Sequence, residues 1–200
     1  MKEIELKLLV DAPTADRVSR SPAVLRFARG EPVTRRLRTV YHDTPKGALG
    51  AAGIALRTRH DGTAWTQTVK AARTMQGGFS EAVESPLPLP GPEPDIAGIA
   101  DADLRARVGE ALGGAVPGPV FETAFDRTTW VLDIPHLGQV ELALDRGEIR
   151  AGERAEPFAE VELELLGGSP RAIFEAARHL LPEGGARFSA LNKADRGALL

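Results

Sequence analysis

Charged side chains occupy every second position at the start of the chain. In the run EIELK, Glu3, Glu5 and Lys7 alternate with the apolar residues Ile4 and Leu6. Because successive side chains of a β-strand point to opposite faces, the three charged groups would share one face of a strand. On an outer face the pattern is ordinary solvation, whereas on an enclosed face it places two carboxylates and an ammonium group in one site. The chemistry of this run therefore depends on whether the sheet encloses that face.

The same alternation recurs on four further strand-like runs. Each run carries polar or charged side chains at alternate positions with largely apolar residues between them. The members are Arg57 and Arg59; Thr66, Thr68 and Lys70; Glu141 and Asp145; and Glu160, Glu162 and Glu164. A single amphipathic strand of this kind is common at the surface of a soluble protein. Five of them favour a sheet that closes into a barrel, so that the charged faces converge while helices cover the apolar faces.

Composition limits the classes of function. The chain has 200 residues, 42% hydrophobic and 26% charged, with a formal net charge of −3. These values are typical of one globular domain without an overall basic field for nucleic acid or an anionic membrane. A sequence without cysteine excludes disulfides, thiolate metal sites and a cysteine nucleophile. The start Met-Lys-Glu has no apolar targeting stretch, and no run has transmembrane length, so we predict a cytoplasmic protein.

Short turns predict that the strands form an antiparallel meander. Turn residues predict one hairpin over residues 54–70 and a second around residues 135–138. A third hairpin is predicted across residues 147–157. The proline-rich residues 85–95 are predicted to be a loop between a strand and a helix.

Three segments are predicted to be helical, which makes the fold class α+β. They are residues 14–28, interrupted by Pro22, residues 101–112, and residues 169–182, where Ser169 is the expected N-cap. The apolar stripe of the third helix is predicted to be Ile173, Phe174, Ala177, Leu180 and Leu181. The four scattered histidines, His42, His60, His136 and His179, are predicted to be surface groups.

The repeated carboxylates need positive charge nearby. Glutamates at alternate positions repel one another, and a second acidic strand beside them adds to the cost. Oxygen ligands without cysteine favour Mg²⁺ or Mn²⁺ over zinc. The basic residues would then face a polyanion, because guanidinium groups and bound metals both bind phosphate oxygens. A short chain of phosphates is the guest that this charge pattern predicts.

An ordered set of motifs carries a family resemblance. The motifs are Glu3-Ile4-Glu5-Leu6-Lys7, Tyr41-His42-Asp43-Thr44, Leu56-Arg57-Thr58-Arg59, Thr66-Gln67-Thr68-Val69-Lys70, Arg127, Asp145 in ALDRG, Glu160 with Glu162, and Asn192-Lys193-Ala194. In this order they resemble the ExExK, YxDT, LRxR, lysine-strand, ExExE and SKA elements of the CYTH superfamily, the triphosphate tunnel metalloenzymes. One departure is that Ser80 and Ala82 stand where family members commonly carry an arginine and a glutamate.

The resemblance implies a single CYTH-type domain over residues 1–200. Its expected fold is an eight-stranded antiparallel β-barrel, the triphosphate tunnel, flanked by helices. Its expected activity is hydrolysis of inorganic triphosphate to diphosphate and phosphate with Mg²⁺ or Mn²⁺. The implied metal ligands are Glu3, Glu5, Asp145, Glu160 and Glu162, and the implied catalytic residues are Glu3, Glu5, Lys7 and Glu162. The implied triphosphate-binding residues are Lys7, Arg57, Arg59, Lys70, Arg127 and Lys193.

The sequence leaves several alternative functions open. The same tunnel would suit a nucleoside or thiamine triphosphatase, a CYTH-type adenylate cyclase, or a polyphosphate-binding module without catalysis. An aromatic content of 5% offers few rings for a nucleobase and favours inorganic triphosphate. CYTH domains are often followed by a helical CHAD domain, so a longer parent chain is one expectation. The roles of Glu81, Glu84, Glu141 and Glu164 are not assigned, and Tyr41 and Asp43 are expected to be structural.

Overall fold

A computed structural model of the chain describes residues 2–76, 79–181, 185–188, 191 and 193–200, with the side chains of residues 2–3 and 72–83 left undescribed. The strands are β1 (Lys2–Val10), β2 (Val33–Asp43), β3 (Ile54–His60), β4 (Trp65–Gln76), β5 (Phe79–Leu89), β6 (Gly118–Ile134), β7 (Gly138–Ala151), β8 (Arg154–Gly168) and β9 (Ala186–Phe188). The helices are α1 (Ala12–Ser19), α2 (Pro22–Phe27), α3 (Ala48–Ala51), α4 (Ala102–Leu112), α5 (Arg171–Leu180) and α6 (Lys193–Leu199). Among the described residues, no helix is long and apolar enough to cross a membrane.

The strands form one antiparallel sheet that returns on itself. The order is β5-β4-β3-β2-β6-β7-β8-β1-β9, and β5 also pairs with β1. In that pairing Lys2 lies opposite Val83 and Leu6 lies opposite Phe79. Eight strands therefore form a closed circuit, which confirms the predicted eight-stranded antiparallel barrel. The short strand β9, which was not predicted, pairs with the remaining part of the same edge of β1.

Helices cover the outside of the barrel and create two apolar cores. One core lies between α1, α2, α5 and the outer faces of β1, β6, β7 and β8, with Leu132, Val161 and Ile173 fully buried. The other lies between α3, α4 and the outer faces of β3 and β4, with Leu56 and Val108 among its members. Since neighbouring strand residues face opposite ways, the polar residues between these apolar ones point into the barrel.

The predicted helices are confirmed, with two corrections to the last one. Phe174 is 53% exposed, whereas Ile173 and Ala176 are buried, because each helical residue is turned by about 100° from the one before it. The N-cap position is held by Pro170, without a side-chain cap. The Ser169 hydroxyl instead accepts a hydrogen bond from the backbone N–H of Arg171 at 3.3 Å.

Three other local expectations also change. Part of the proline-rich segment belongs to β5, which extends to Leu89. Pro86 and Pro88 pair with β4 on one edge of β5, and they lie beyond the residues that pair with β1 on the other edge. An edge without a partner strand tolerates residues that lack a backbone N–H. His42 is 6% exposed rather than a surface group, because it lies beside β3, opposite Leu56, with its Nε2 2.9 Å from Thr58 Oγ1. The helices α3 and α6 were not predicted.

Candidate active site in the barrel lumen

The inward faces of the strands form an acidic wall and a basic wall. The neighbouring strands β1, β8 and β7 contribute Glu5, Glu160, Glu162 and Asp145. The other strands contribute Arg57 and Arg59 on β3, Lys70 on β4 and Arg127 on β6. The register aligns the acidic strands, since Lys7 lies opposite Glu162 and Asp145 lies opposite Glu160.

Three carboxylates form a compact oxygen cluster on the acidic wall. Asp145, Glu160 and Glu162 each place a carboxylate oxygen within 4.8 Å of the others. The Asp145 and Glu160 side chains are fully buried. Glu160 Oε2 has no hydrogen-bond partner among the described residues, which leaves a buried oxygen available as a ligand. Hard oxygen donors at this spacing fit Mg²⁺ or Mn²⁺.

An ammonium group lies inside this carboxylate cluster. Lys193, the first residue of α6, places Nζ 2.9 Å from Asp145 Oδ2 and 2.9 Å from Glu162 Oε1, and also contacts Glu160. Burial would lower the pKa of Lys193, but the charges of Glu160 and Glu162 outweigh it and raise the pKa. The cluster is thus a cation site in the structure as it stands, with a side chain supplying the cation.

Arg127 orients the same carboxylates from the side. Its guanidinium binds Asp145 through two parallel hydrogen bonds, Nε to Oδ1 and Nη2 to Oδ2, both 2.7 Å long, and also contacts Glu162. Burial would raise the pKa of Glu162, but the charges of Arg127 and Lys193 hold it well below the ordinary value. The side chain of Glu162 is therefore held as a carboxylate.

Ion pairs continue from the acidic wall to the basic wall. Glu5 Oε1 lies 3.0 Å from Lys7 Nζ and 3.0 Å from Lys70 Nζ. Lys70 then lies 3.3 Å from Glu84, which lies 3.7 Å from Arg57 Nη2. One network therefore joins the two walls across a single lumen. It also gives Glu84 a place as a bridging carboxylate, which the sequence did not assign.

Arg59 differs from the other lumen cations because no carboxylate in the described part of the chain forms an ion pair with it. Among the described residues its one side-chain hydrogen bond is from Nε to Thr39 Oγ1, at 2.9 Å. Burial, together with the positive charges of Arg57 and Arg127, lowers the pKa of Arg59 to about 9. A half-buried positive charge without a paired carboxylate among the described residues is costly, so an anion would stabilise the site.

Four of the lumen cations are more accessible than the carboxylates of Glu5 and Asp145. The side chains of Lys7, Arg57, Lys70 and Arg127 keep between 18% and 21% of their surface exposed, against 3% for Glu5 and 0% for Asp145. A ligand in the lumen would therefore meet ammonium and guanidinium groups first. Glu5 and Asp145 lie behind them, whereas Lys193 is buried with its carboxylate partners, with 6% of its side chain exposed against 10% for Glu162.

The structure brings together ten of the residues singled out from the sequence. They are Glu5, Lys7, Arg57, Arg59, Lys70, Arg127, Asp145, Glu160, Glu162 and Lys193. The side chain of Glu3 lies outside the described residues, as do Asn192 and the side chains of Ser80, Glu81 and Ala82. Glu141 and Glu164 lie opposite each other on β7 and β8, and burial raises the pKa of Glu141.

Sequence reasoning missed the aromatic contribution to the lumen. Phe125 is fully buried on the inward face of β6, two residues before Arg127. Tyr41 helps to raise the pKa of Arg57 against the effect of burial, and it stacks on Phe121, with ring centroids 4.4 Å apart. The alternating position of Phe125 relative to Arg127 was the available signal, but a phenylalanine in a strand usually indicates an ordinary core position.

Fold and site together define a closed β-barrel tunnel with opposed acidic and basic walls. Residues 1–198 match the CYTH domain, and the chain belongs to the CYTH family, as the motif resemblance indicated.

Individual relatives agree with this placement. An inorganic triphosphatase from Haemophilus influenzae is 31% identical over 201 residues, which cover 100% of this chain and 55% of that protein. The chain thus spans about half the length of this relative. A putative adenylyl cyclase from Hippeastrum, described as having a dominant triphosphatase activity, has a TM-score of 0.64 at 20% identity over 98% of this chain and 95% of its own. A Pyrococcus horikoshii protein has a TM-score of 0.61 at 18% identity, covering 97% of each chain. The two structural likenesses establish the fold.

Proposed function

We propose that this protein is a metal-dependent triphosphatase that hydrolyses inorganic triphosphate to diphosphate and phosphate inside the barrel. The observation that carries the proposal is Arg59, a cation in the lumen without a carboxylate partner among the described residues. It lies with Arg57 and Arg127 on a wall whose cations face the lumen. A linear chain of phosphates offers closely spaced negative charges, which suits several guanidinium groups at once.

Mg²⁺ or Mn²⁺ is the proposed cofactor. Asp145, Glu160 and Glu162 would hold it, with Glu5 and the predicted ligand Glu3 as further candidates. Such an ion would neutralise phosphate oxygens and lower the pKa of a bound water molecule. The family and the oxygen cluster support this assignment.

The residues of the chain would act mainly by positioning and neutralising charge. Arg57, Arg59 and Arg127 would bind the phosphates together with Lys70 and Lys7 and stabilise the charge that develops on the leaving diphosphate. Glu5 would orient Lys7 and Lys70, and Glu162 would orient Arg127 and Lys7, whose Nζ lies 3.4 Å from Glu162 Oε1. We propose Glu3, Glu5, Lys7 and Glu162 as the catalytic set.

Phosphorus NMR tests this function directly. Purified protein is incubated with triphosphate, ATP or thiamine triphosphate, with Mg²⁺ or with a chelator. We expect equal amounts of diphosphate and phosphate from triphosphate, and only with metal. Formation of a cyclic nucleotide would mark a cyclase, faster turnover of a nucleoside or thiamine ester would mark a different triphosphatase, and unchanged triphosphate would contradict the proposal.

A matched pair of variants locates the activity in the lumen. Glu162→Gln removes a lumen carboxylate, whereas Glu122→Gln removes an outer one that pairs with Arg38. We expect a loss of at least about a hundredfold in turnover for the first and no change for the second, with circular dichroism verifying that both are folded. Equal activities would remove Glu162 from the site.

Location and partners follow as proposals from composition. A chain without cysteine and with a net charge of −3 supports a cytoplasmic protein that acts on a small phosphate compound rather than on nucleic acid or a membrane. A CHAD-type domain in a longer parent chain stays a prediction.

A further inference from the structure

One aromatic ring lies beneath three cations of the lumen. The centroid of the Phe125 ring is 5.7 Å from Arg59 Cζ, 5.7 Å from Arg127 Cζ and 5.4 Å from Lys193 Nζ. These cations come from β3, β6 and α6. All three distances are within the range at which the negative face of an aromatic ring attracts a cation.

The ring is fixed by the packing around it. Phe125 is fully buried, and its ring and that of Phe158 meet in an edge-to-face arrangement with centroids 5.7 Å apart. On the neighbouring strand it lies opposite Gly147. A Cβ at position 147 would come within 2.4 Å of Phe125 Cβ and 2.1 Å of the Ala124 carbonyl oxygen. The close approach of the two strands at this point therefore requires a glycine at position 147.

The three cations differ in how much other negative charge surrounds them besides the ring of Phe125. Lys193 and Arg127 are both paired with carboxylates, whereas Arg59 has Thr39 and the ring. The like charges of Arg57 and Arg127 oppose its charge. A ring face supplies partial negative charge without neutralising the cation, so the guanidinium stays available to an anion.

We propose that Phe125 is a positioning residue that holds Arg59 and Arg127 close together for one polyanion through the face of its ring. The inference rests on the proposed triphosphatase function. The ring would preorganise the site, because cations that are already held together lose less conformational freedom when the triphosphate binds. Phe125 does not itself touch the substrate.

Fluorinated phenylalanines test the ring face with little change in shape. Incorporating mono-, di- and trifluorinated phenylalanine at position 125 withdraws electron density from the ring in steps. We expect each step to raise the KM for triphosphate, reaching about tenfold with three fluorines, while kcat changes less than twofold. The same series at Phe121, which is on the same face of β6 and stacks on Tyr41, is the matched control and should leave KM unchanged.

A second readout does not depend on turnover. The free energy of unfolding without substrate should fall along the Phe125 series and not along the Phe121 series, because fluorination weakens the ring–cation contacts. If wild-type protein neither binds nor hydrolyses triphosphate, the proposed function fails, while the unfolding series still tests the contacts. An active wild type whose KM and stability do not change along the Phe125 series, or change equally along both, would overturn the inference.

Discussion

The ammonium of Lys193 lies 2.9 Å from Asp145 Oδ2, inside the cluster of carboxylates that fits a divalent metal. The first residue of α6 therefore supplies the positive charge that the cluster needs. A divalent ion and the ammonium cannot both occupy this position, because like charges at such short range repel strongly. Metal binding and the seating of Lys193 must compete.

Replacing Lys193 should therefore change metal affinity in an unusual direction. In Lys193→Gln we expect Mn²⁺ to bind about tenfold more tightly than in wild type, measured by electron paramagnetic resonance in the absence of substrate. The metal-free protein should be less stable, because three carboxylates lose their shared cation. Lys46→Gln, which removes an exposed lysine, is the control. Weaker Mn²⁺ binding in Lys193→Gln would contradict competition.

Arg59 should be needed for function but not for stability. Its charge is opposed by burial and by Arg57 and Arg127, which lower its pKa, so its removal relieves repulsion. We expect Arg59→Gln to weaken triphosphate binding about tenfold to a hundredfold in calorimetry. The free energy of unfolding in urea should be unchanged or higher.

The matched control is Arg38→Gln, on the outer face of β2. Arg38 is exposed and donates to Glu122, so neither binding nor stability should change appreciably. A large loss of stability in Arg59→Gln would show that the residue is structural instead.

Two neighbouring glutamates on β8 should affect stability differently. The pKa of Glu162 is held low, so its carboxylate stabilises the fold above the unfolded pKa of about 4.3, and this contribution disappears as the pH falls through the folded value. Burial raises the pKa of Glu160, so ionisation of this residue weakens the fold as the pH rises through its folded value.

At neutral pH we therefore expect Glu162→Gln to lower the free energy of unfolding by about 3 kcal/mol, and Glu160→Gln to lower it by clearly less. Urea titrations at pH 7 and at a pH below 4 measure both. The deficit of Glu162→Gln should shrink in acid. Equal losses of unfolding free energy for the two variants at neutral pH would show that the opposite pKa shifts of Glu160 and Glu162 do not affect stability.

The contact of α6 with the barrel should depend on Gly197. A Cβ at this position would come within 2.2 Å of two atoms of the Phe121 ring, whereas Gly109 in α4 has no atom within 4 Å of such a Cβ. We expect Gly197→Ala to destabilise the protein by about 1 to 3 kcal/mol and Gly109→Ala to stabilise it slightly, both measured by thermal unfolding. A neutral Gly197→Ala would mean that α6 adjusts freely.

Strand alternation and motif order predicted most of this arrangement. Charged residues at alternate positions share one face of a strand, which the sequence shows directly, and closure of the barrel brings these faces together around one lumen. The identities of the partners were less accessible. Lys193 reaches the carboxylates of β7 and β8 because α6 lies against the barrel. This helix has only seven residues and contains Gly197, so local helix propensity did not predict it. The role of Glu84 in the ion-pair network follows from the register of β4 and β5, in which it lies opposite Lys70. The sequence pattern alone did not predict this register.

A crystal structure with Mn²⁺ and a non-hydrolysable imidotriphosphate tests the central claim most directly. We predict an anomalous scattering peak bounded by Asp145, Glu160 and Glu162, with Lys193 displaced from that position. The phosphates should lie against Arg57, Arg59 and Arg127 on the opposite wall. Manganese or phosphate bound solely outside the lumen, with Lys193 still seated among the carboxylates, would contradict the account.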